Sequence, residues 1–187
     1  MTDDAEIGLV AQAQTGDTRA FAALVRRYQD RVFRFILRLS ANREDAMDLT
    51  QETFMKAHQA LPAWQPQAKF STWLLSIAHN TTLDLLRRRQ RVSFVPYGEL
   101  ADDEQGPALP DPAPQPDERL AGRQSVALLD RVLRELPFEH REILLLREVE
   151  QMSYDEIAVT LGINSGTVKS RIARARAALL DLYGRLH

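Results

Sequence analysis

The chain has 187 residues, enough for one sizeable domain or two small ones, and a formal net charge of −2. It has no cysteine, which excludes a disulfide framework and a thiolate metal site, and its four histidines show no ligand spacing. No apolar run approaches the roughly 20 residues of a membrane span, and the N-terminal MTDDAEIG is acidic rather than signal-like. We therefore expect a soluble, cytoplasmic protein without a metal or other cofactor.

The first 40 residues are predicted to form two helices. A short amphipathic segment over residues 4–14 is centred on Ile7 and Val10. Asp17 or Thr18 then caps a longer helix, because short side-chain acceptors satisfy the free N–H groups of a first turn. The apolar side chains of the longer helix lie on one stripe: Phe21, Leu24, Val25, Tyr28, Val32, Ile36 and Leu39.

Asn42 is predicted to cap a third helix that runs to about Leu61 and turns Ala46, Leu49, Thr53 and Ala57 inward. Its outer face carries an acidic stripe, Asp45, Asp48 and Glu52, spaced by three and four residues. Carboxylate chemistry would need a pocket with a perturbed environment, and nothing in the sequence supplies one. The stripe is thus a solvated face or a contact surface for a partner protein, and the residues alone favour the solvated face.

A break at Pro62 and Pro66 separates this helix from the next one, which Ser71 is predicted to cap. Trp64, Phe70 and Trp73 flank that start and offer a stacking surface for an unpaired base. Aromatic side chains beside a helix start are more often core, so spacing alone favours a core role.

The fourth helix ends in a basic run, Arg87, Arg88, Arg89 and Arg91. The helix dipole favours cations at a C-terminus, but that explains one or two arginines rather than four within five residues. The run therefore indicates a stripe that contacts phosphates.

Residues 96–118 form an acidic, proline-rich segment with seven acidic residues, no basic residue and six of the nine prolines. Such a segment cannot form a helix interior or build a core, and we interpret it as an extended linker. In a polyproline II conformation its 23 residues would span roughly 70 Å, about two turns of duplex DNA. The parts on either side are mildly basic: residues 1–95 carry 13 Lys and Arg against 10 Asp and Glu, and residues 119–187 carry 11 against nine.

Beyond the linker, a helix is predicted over residues 118–136, with its apolar face made by Val126, Leu129, Leu133 and Leu136. Pro137 fits the first turn of the following helix, whose apolar positions include Ile143, Leu144 and Leu146.

Residues 153–180 have the pattern of a helix-turn-helix. Ser153 and Glu156 have the spacing of a capping box, and Gly162 stands where a left-handed C-cap belongs. Asn164 or Ser165 can cap the second helix, which has apolar positions at Val168, Ile172, Ala175 and Leu179. Its other positions include Lys169, Arg171, Arg174 and Arg176, with no acid until Asp181. An apolar-backed helix with a basic outer face is typical of a major-groove reader.

Two blocks of the sequence resemble one family. EDAMDLTQETFMKAHQAL followed by FSTWLLSIAHNTTLDLLRRRQR is similar to the second conserved region of bacterial RNA polymerase sigma factors of the extracytoplasmic-function (ECF) group, within the sigma-70 family. LPFEHREILLLREVEQMSYDEIAVTLGINSGTVKSRIARARAAL resembles their fourth region. The resemblance implies an all-α chain with a region 2 domain at 1–95, a flexible linker at 96–118 and a region 4 domain at 119–187.

The resemblance also implies site residues. A surface for core RNA polymerase would comprise Asp45, Asp48, Leu49, Gln51, Glu52 and Phe54, which reverses the interpretation of the acidic stripe. The group that captures an unstacked base of the −10 element and holds the adjacent backbone would comprise Lys69, Phe70, Ser71, Trp73, Asn80, Arg87, Arg88, Arg89 and Arg91. The face that reads the −35 element would comprise Lys169, Ser170, Ala173 and Arg174, with Arg171 and Arg176 nearer the phosphates.

The implied function is promoter-specific transcription initiation without covalent chemistry. Its partners would be core RNA polymerase, promoter DNA and an inhibiting anti-sigma factor, which is often membrane-anchored in this family. One alternative is a stand-alone regulator that binds palindromic DNA as a dimer through residues 153–180. Another alternative is an enzyme, which is supported only by the carboxylate stripe and the dispersed histidines.

Overall fold

The computed structural model describes residues 3–66, 68–93 and 128–186, and these contain helices and connecting segments with no strand. They form two compact units. The all-α prediction is confirmed. The interpreted linker at 96–118 and the boundaries at 95 and 119 lie outside the described residues.

The first unit is a bundle of four helices. They are α1 (Asp3–Gln14), α2 (Thr18–Ser40), α3 (Arg43–Ala60) and α4 (Phe70–Ser93), with a 3₁₀ turn at Leu61–Ala63. Helix α2 is central because it packs on each of the other three, and α3 also packs on α4. The side chains that fill the middle of the bundle include Leu24, Val32, Phe35, Ile36, Leu39, Ala46, Leu74 and Ala78.

Two of the three predicted caps of the first unit are present. The Asp17 carboxylate accepts hydrogen bonds from the N–H groups of Arg19 and Ala20, and the Asn42 side chain accepts from Asp45 N at 3.0 Å. Ser71 was the wrong choice for α4: the helix begins at Phe70, and Lys69 O accepts the first hydrogen bond, from Trp73 N. Ser71 therefore lies inside the first turn.

One apolar position of α1 was also predicted wrongly. Ile7 is 64% exposed, whereas Val10 and Ala13 are buried. The helix instead directs Glu6 towards α2, where its carboxylate accepts a hydrogen bond from the Tyr28 hydroxyl at 2.6 Å. A charge-assisted tertiary contact thus fixes the rotation of α1, which hydrophobic periodicity could not indicate.

The second unit, taken as residues 128–186, contains α5 (described over 128–135), α6 (Phe138–Leu144), a π-helical segment at Leu145–Val149, α7 (Tyr154–Leu161) and α8 (Ser165–Leu186). Helix α6 packs along α8. Buried apolar side chains come from every element, among them Val132, Leu136, Ile143, Leu145, Leu146, Ile157, Val168 and Ile172.

The α5 prediction is confirmed only in part. Leu133 and Leu136 are buried, but Leu129, predicted to face inward, is 44% exposed, and Val126 lies outside the described residues. Val132, which was not among the predicted apolar positions, is fully buried instead. Pro137 directly precedes α6 as its N-cap, with φ −51° and ψ 142°.

Candidate functional sites

The helix-turn-helix forms as its sequence predicts. Ser153 and Glu156 make a reciprocal capping box: Ser153 N donates to Glu156 Oε2 at 2.8 Å, and Glu156 N donates to Ser153 Oγ at 3.2 Å. Gly162 turns the chain with φ +65°, a conformation that favours glycine. Asn164 Oδ1 then accepts from Thr167 N at 2.8 Å and caps α8. The capping box sets the start of α7, and Gly162 together with Asn164 sets the start of α8.

Helix α8 is divided into a buried and an exposed face. Val168, Ile172 and Ala175 are buried against the unit. The predicted −35 readers, Lys169, Ser170, Ala173 and Arg174, are all exposed on the opposite side. Arg174 Nε donates to Ser170 O at 3.4 Å, so the guanidinium lies along its own helix. The structure thus brings together the four predicted readers on one accessible surface.

The two arginines predicted to lie nearer phosphates are both held by carboxylates of the same unit. Arg171 Nη1 is 3.6 Å from Glu142 Oε1, and Arg171 Nη2 is 3.9 Å from Glu139 Oε2. Arg176 donates to Glu148 Oε1 from Nε at 3.0 Å and from Nη2 at 2.6 Å. The hydrogen bond and the charge of Glu148 raise the pKa of Arg176. Both side chains therefore tie α8 to preceding elements, a role that the sequence pattern did not reveal.

An aromatic cluster lies at the start of α4. The ring centroids of Trp64 and Trp73 are 5.2 Å apart, and Phe70 lies 5.6 Å from Trp73 and 5.5 Å from Tyr28. Phe70 is only 4% exposed, so the bare spacing argument for a core role was correct for this ring. Burial and the hydrogen bond to Glu6 raise the pKa of Tyr28, so its hydroxyl remains a donor.

The accessible groups near this cluster follow one side of α4. Trp73 and Ser71 are half-buried, and Lys69 and Asn80 are exposed. Trp73 and Asn80 are seven residues apart, which places them on the same helix face two turns from each other. Arg87, another seven residues on, is also exposed. The structure therefore aligns the half-buried indole, an amide and a cation along α4.

Within the basic run, Arg87, Arg88 and Arg89 are exposed, and the side chain of Arg91 lies outside the described residues. Arg89 makes a bidentate ion pair with Asp45 of α3, with Nη1 to Oδ2 at 2.5 Å and Nη2 to Oδ1 at 2.7 Å. Only 11% of the Asp45 side chain stays exposed. One predicted DNA contact and one predicted polymerase contact are thus bonded to each other.

Three of the six predicted polymerase contacts are accessible on α3, namely Asp48, Gln51 and Glu52. Leu49 and Phe54 are only 4% and 8% exposed, so they lie largely beneath this surface, and their role as polymerase contacts stays a prediction. The helical spacing of the apolar residues already predicted that Leu49 faces inward. The family resemblance nevertheless grouped it with the contact residues.

Sequence reasoning missed two methionines on this surface. Met47 is 50% exposed and Met55 is 63% exposed, one turn to either side of Gln51. Met55 and Gln51 line an apolar groove of about 590 Å³ between α2 and α3. The spacing of four residues between Met47, Gln51 and Met55 was the available signal. The surface therefore combines carboxylates with flexible apolar side chains, which suits a protein partner.

Among the described residues, no group of three or more histidine, aspartate or glutamate side chains is arranged to hold a metal ion. No described helix is long and apolar enough to cross a membrane.

Comparison with known proteins gives consistent matches. Residues 24–92 match the family Sigma-70 region 2, and residues 127–179 match Sigma-70, region 4. The chain is 41% identical over 181 residues to the ECF RNA polymerase sigma factor SigE of Mycolicibacterium smegmatis, covering 95% of this chain and 68% of that one. It is 36% identical to the RNA polymerase sigma-H factor of Pseudomonas aeruginosa, over 96% and 94% of the two chains.

Solved structures give the same picture. CnrH, in complex with the cytosolic domain of CnrY, has a TM-score of 0.68 at 29% identity and covers 95% of this chain and 96% of that one. The sigma factor RpoE of Bartonella quintana, in complex with the anti-sigma factor NepR, has a TM-score of 0.65 at 24% identity, over 88% and 97%, and supports the fold.

Proposed function

The chain belongs to the ECF group of the sigma-70 family of RNA polymerase sigma factors, and we propose which surfaces serve its steps. It binds core RNA polymerase and directs promoter-specific transcription initiation. In the proposal, residues 1–95 bind polymerase and the −10 element, 119–187 bind the −35 element, and 96–118 link them. The chain acts in the cytoplasm and performs no covalent chemistry itself.

The observation that carries the proposal is the exposed face of α8. Lys169, Ser170, Ala173 and Arg174 project from a helix whose other side is buried, and the Asn164 side chain caps that helix just after the left-handed Gly162. A major groove admits one α-helix, whose exposed side chains then reach base edges. A well-placed side chain contributes about 1–3 kcal/mol of discrimination per base pair.

The proposed −10 surface runs along α4 from Lys69 to the basic run. Trp73, Ser71 and Asn80 surround an unstacked base, while Arg87 and Arg88 contact the adjacent phosphates. Phe70 supports this surface from the core rather than touching DNA, because its ring is packed among Tyr28, Trp64 and Trp73. Arg89 forms an ion pair with Asp45. Arg91 is proposed to contact the DNA backbone.

The proposed polymerase surface is the exposed face of α3. It comprises Asp48, Gln51 and Glu52 with Met47 and Met55, which supply charge for orientation and apolar area for affinity. The anti-sigma partner is proposed to cover this same face, because the sigma factor RpoE, which shares this fold, is in a complex with the anti-sigma factor NepR. An inhibitor on α3 would exclude polymerase directly. Inhibitors of this family are often membrane-anchored.

The test is run-off transcription with purified core polymerase, this protein and a library of genomic promoter fragments. A promoter-specific transcript that depends on both proteins is expected. Arg174→Ala should reduce transcription only where the −35 element is needed, and loss of polymerase binding in that variant would contradict the surface assignment. A dimeric stand-alone regulator would instead bind palindromic duplex without polymerase.

A further inference from the structure

Helix α1 lies before the segment that matches region 2, which begins at residue 24, and none of its residues belongs to the proposed surfaces. Two of its side chains nevertheless reach the aromatic cluster of Tyr28, Trp64, Phe70 and Trp73. One reaches it from each end of the helix. This arrangement gives α1 a function beyond covering the core.

The contact at the C-terminal end is made by Gln14. Its Nε2 donates to Trp64 O at 2.8 Å and to Leu61 O at 3.2 Å. Leu61 is the first residue of the 3₁₀ turn, and its carbonyl already accepts a hydrogen bond from Trp64 N at 3.1 Å, while Trp64 directly follows the turn. The Gln14 amide therefore adds a donor at each end of this turn and fixes the carbonyl of Trp64. The Trp64 ring in turn lies 5.2 Å from Trp73 and 5.9 Å from Phe70.

The contact at the N-terminal end is made by Glu6. Its carboxylate accepts a hydrogen bond from the Tyr28 hydroxyl at 2.6 Å and lies 3.2 Å from Arg27 Nη2. The Tyr28 ring packs 5.5 Å from Phe70. Helix α1 is thus held against α2 at one end while it holds the Trp64 turn at the other.

We propose that α1 is a brace for the −10 surface and that Gln14 is a positioning residue for capture of the unstacked base. The proposal rests on the proposed role of Lys69, Ser71 and Trp73. Residues 64–69 carry the chain from the turn to the first residue of α4, so the Trp64 backbone sets where this connection starts. A site must hold its groups within about 0.5 Å of the productive geometry. The hydrogen bonds that Gln14 donates supply that constraint, although Gln14 itself is not part of the −10 surface.

The variant Gln14→Met tests the brace. Methionine is unbranched, similar in length and a good helix former, so it removes both donors while it keeps packing and helix propensity. Gln12→Met is the matched control, because Gln12 is the same residue type on the same helix and is exposed. Both variants are assembled with core polymerase. The probe is a labelled single-stranded oligonucleotide that copies the −10 region of a promoter found by run-off transcription.

The expected result is that Gln14→Met holoenzyme binds the oligonucleotide about 3- to 10-fold more weakly than wild type, the range for loss of one or two net hydrogen bonds. Gln12→Met should bind as wild type does, and both should bind core polymerase equally well. The only tryptophans of the chain are Trp64 and Trp73, so intrinsic fluorescence reports on the cluster directly. Its emission should change in Gln14→Met and stay constant in Gln12→Met.

The proposal is overturned if Gln14→Met binds the oligonucleotide as tightly as wild type. A wild-type holoenzyme that does not bind the oligonucleotide would instead refute the proposed −10 surface. Should Gln14→Met fail to fold, Gln14→Glu removes the same donors in a side chain of nearly the same shape. Equal oligonucleotide binding by that variant and wild type would equally refute the brace.

Discussion

Two arginines of α8 form ion pairs with glutamates. Replacing these arginines one at a time tests how burial changes the contribution of an ion pair to the free energy of unfolding. Arg171 and Arg176 lie on the same helix, and each meets a glutamate of a preceding element. The pair of Arg171 with Glu142 is largely buried, with 21% and 7% of the side chains exposed. The pair of Arg176 with Glu148 is half exposed, at 52% and 48%.

We expect Arg171→Ala to destabilise the second unit by about 3 kcal/mol, because it leaves the Glu142 carboxylate buried without this counter-charge. The value is at the low end for a broken buried pair, since part of Arg171 contacts water. With a denaturant slope of about 1 kcal/mol/M for so small a unit, the urea midpoint falls by about 3 M. Arg176→Ala should leave the midpoint unchanged, because water solvates both groups of an exposed pair.

The assay is urea unfolding followed by far-UV circular dichroism, with tryptophan fluorescence beside it. Trp64 and Trp73 both lie in the first unit, so a transition absent from fluorescence belongs to the second. Glu142→Gln in the Arg171→Ala background removes the stranded charge and should recover most of the loss. The reasoning is refuted if Arg171→Ala and Arg176→Ala have equal midpoints, or if Glu142→Gln brings no recovery.

Three further substitutions test the other surfaces. Arg174→Ala should weaken holoenzyme binding to a promoter with a −35 element by about 5- to 150-fold, as measured by electrophoretic mobility shift, while core polymerase affinity stays constant. Asp48→Lys should weaken core polymerase binding about tenfold in fluorescence anisotropy, with an unchanged circular dichroism spectrum, since the surface charge is reversed. Ser153→Ala removes one of the two capping-box acceptors and should cost about 1 kcal/mol, seen as a thermal midpoint about 4–8 °C lower for the second unit.

Features encoded by neighbouring residues were predictable. The capping box of Ser153 and Glu156, the left-handed Gly162 and the Asn164 cap each depend on a few consecutive residues, and all form as predicted. Local chemistry determines such devices, because their donors and acceptors belong to a single turn of chain.

Features that depend on tertiary partners were not predictable. Ile7 was placed in the core because it is apolar, yet the contact between Glu6 and Tyr28 determines which face of α1 is buried. The basic residues of α8 were interpreted as one outward set, and nothing in their spacing revealed that Arg171 and Arg176 meet glutamates 28 to 32 residues away in sequence. Such pairs become visible only when the helices are packed.

The family resemblance predicted the function, but it did not distinguish residues that contact a partner from residues that support the contact surface. It grouped Leu49 and Phe54 with Asp48 and Gln51, although only the latter two are accessible. Helical periodicity had already placed Leu49 inward. Position on the helix therefore predicted accessibility better than membership of a conserved motif did.

Run-off transcription with core polymerase tests the central claim most directly. Purified protein and core polymerase, mixed with fragments of the genomic promoter library, should yield transcripts that start at defined positions and disappear when either protein is left out. Substitutions in the −10 and −35 elements of such a promoter should each reduce the transcript. Absence of any promoter-specific transcript across the library would contradict the account.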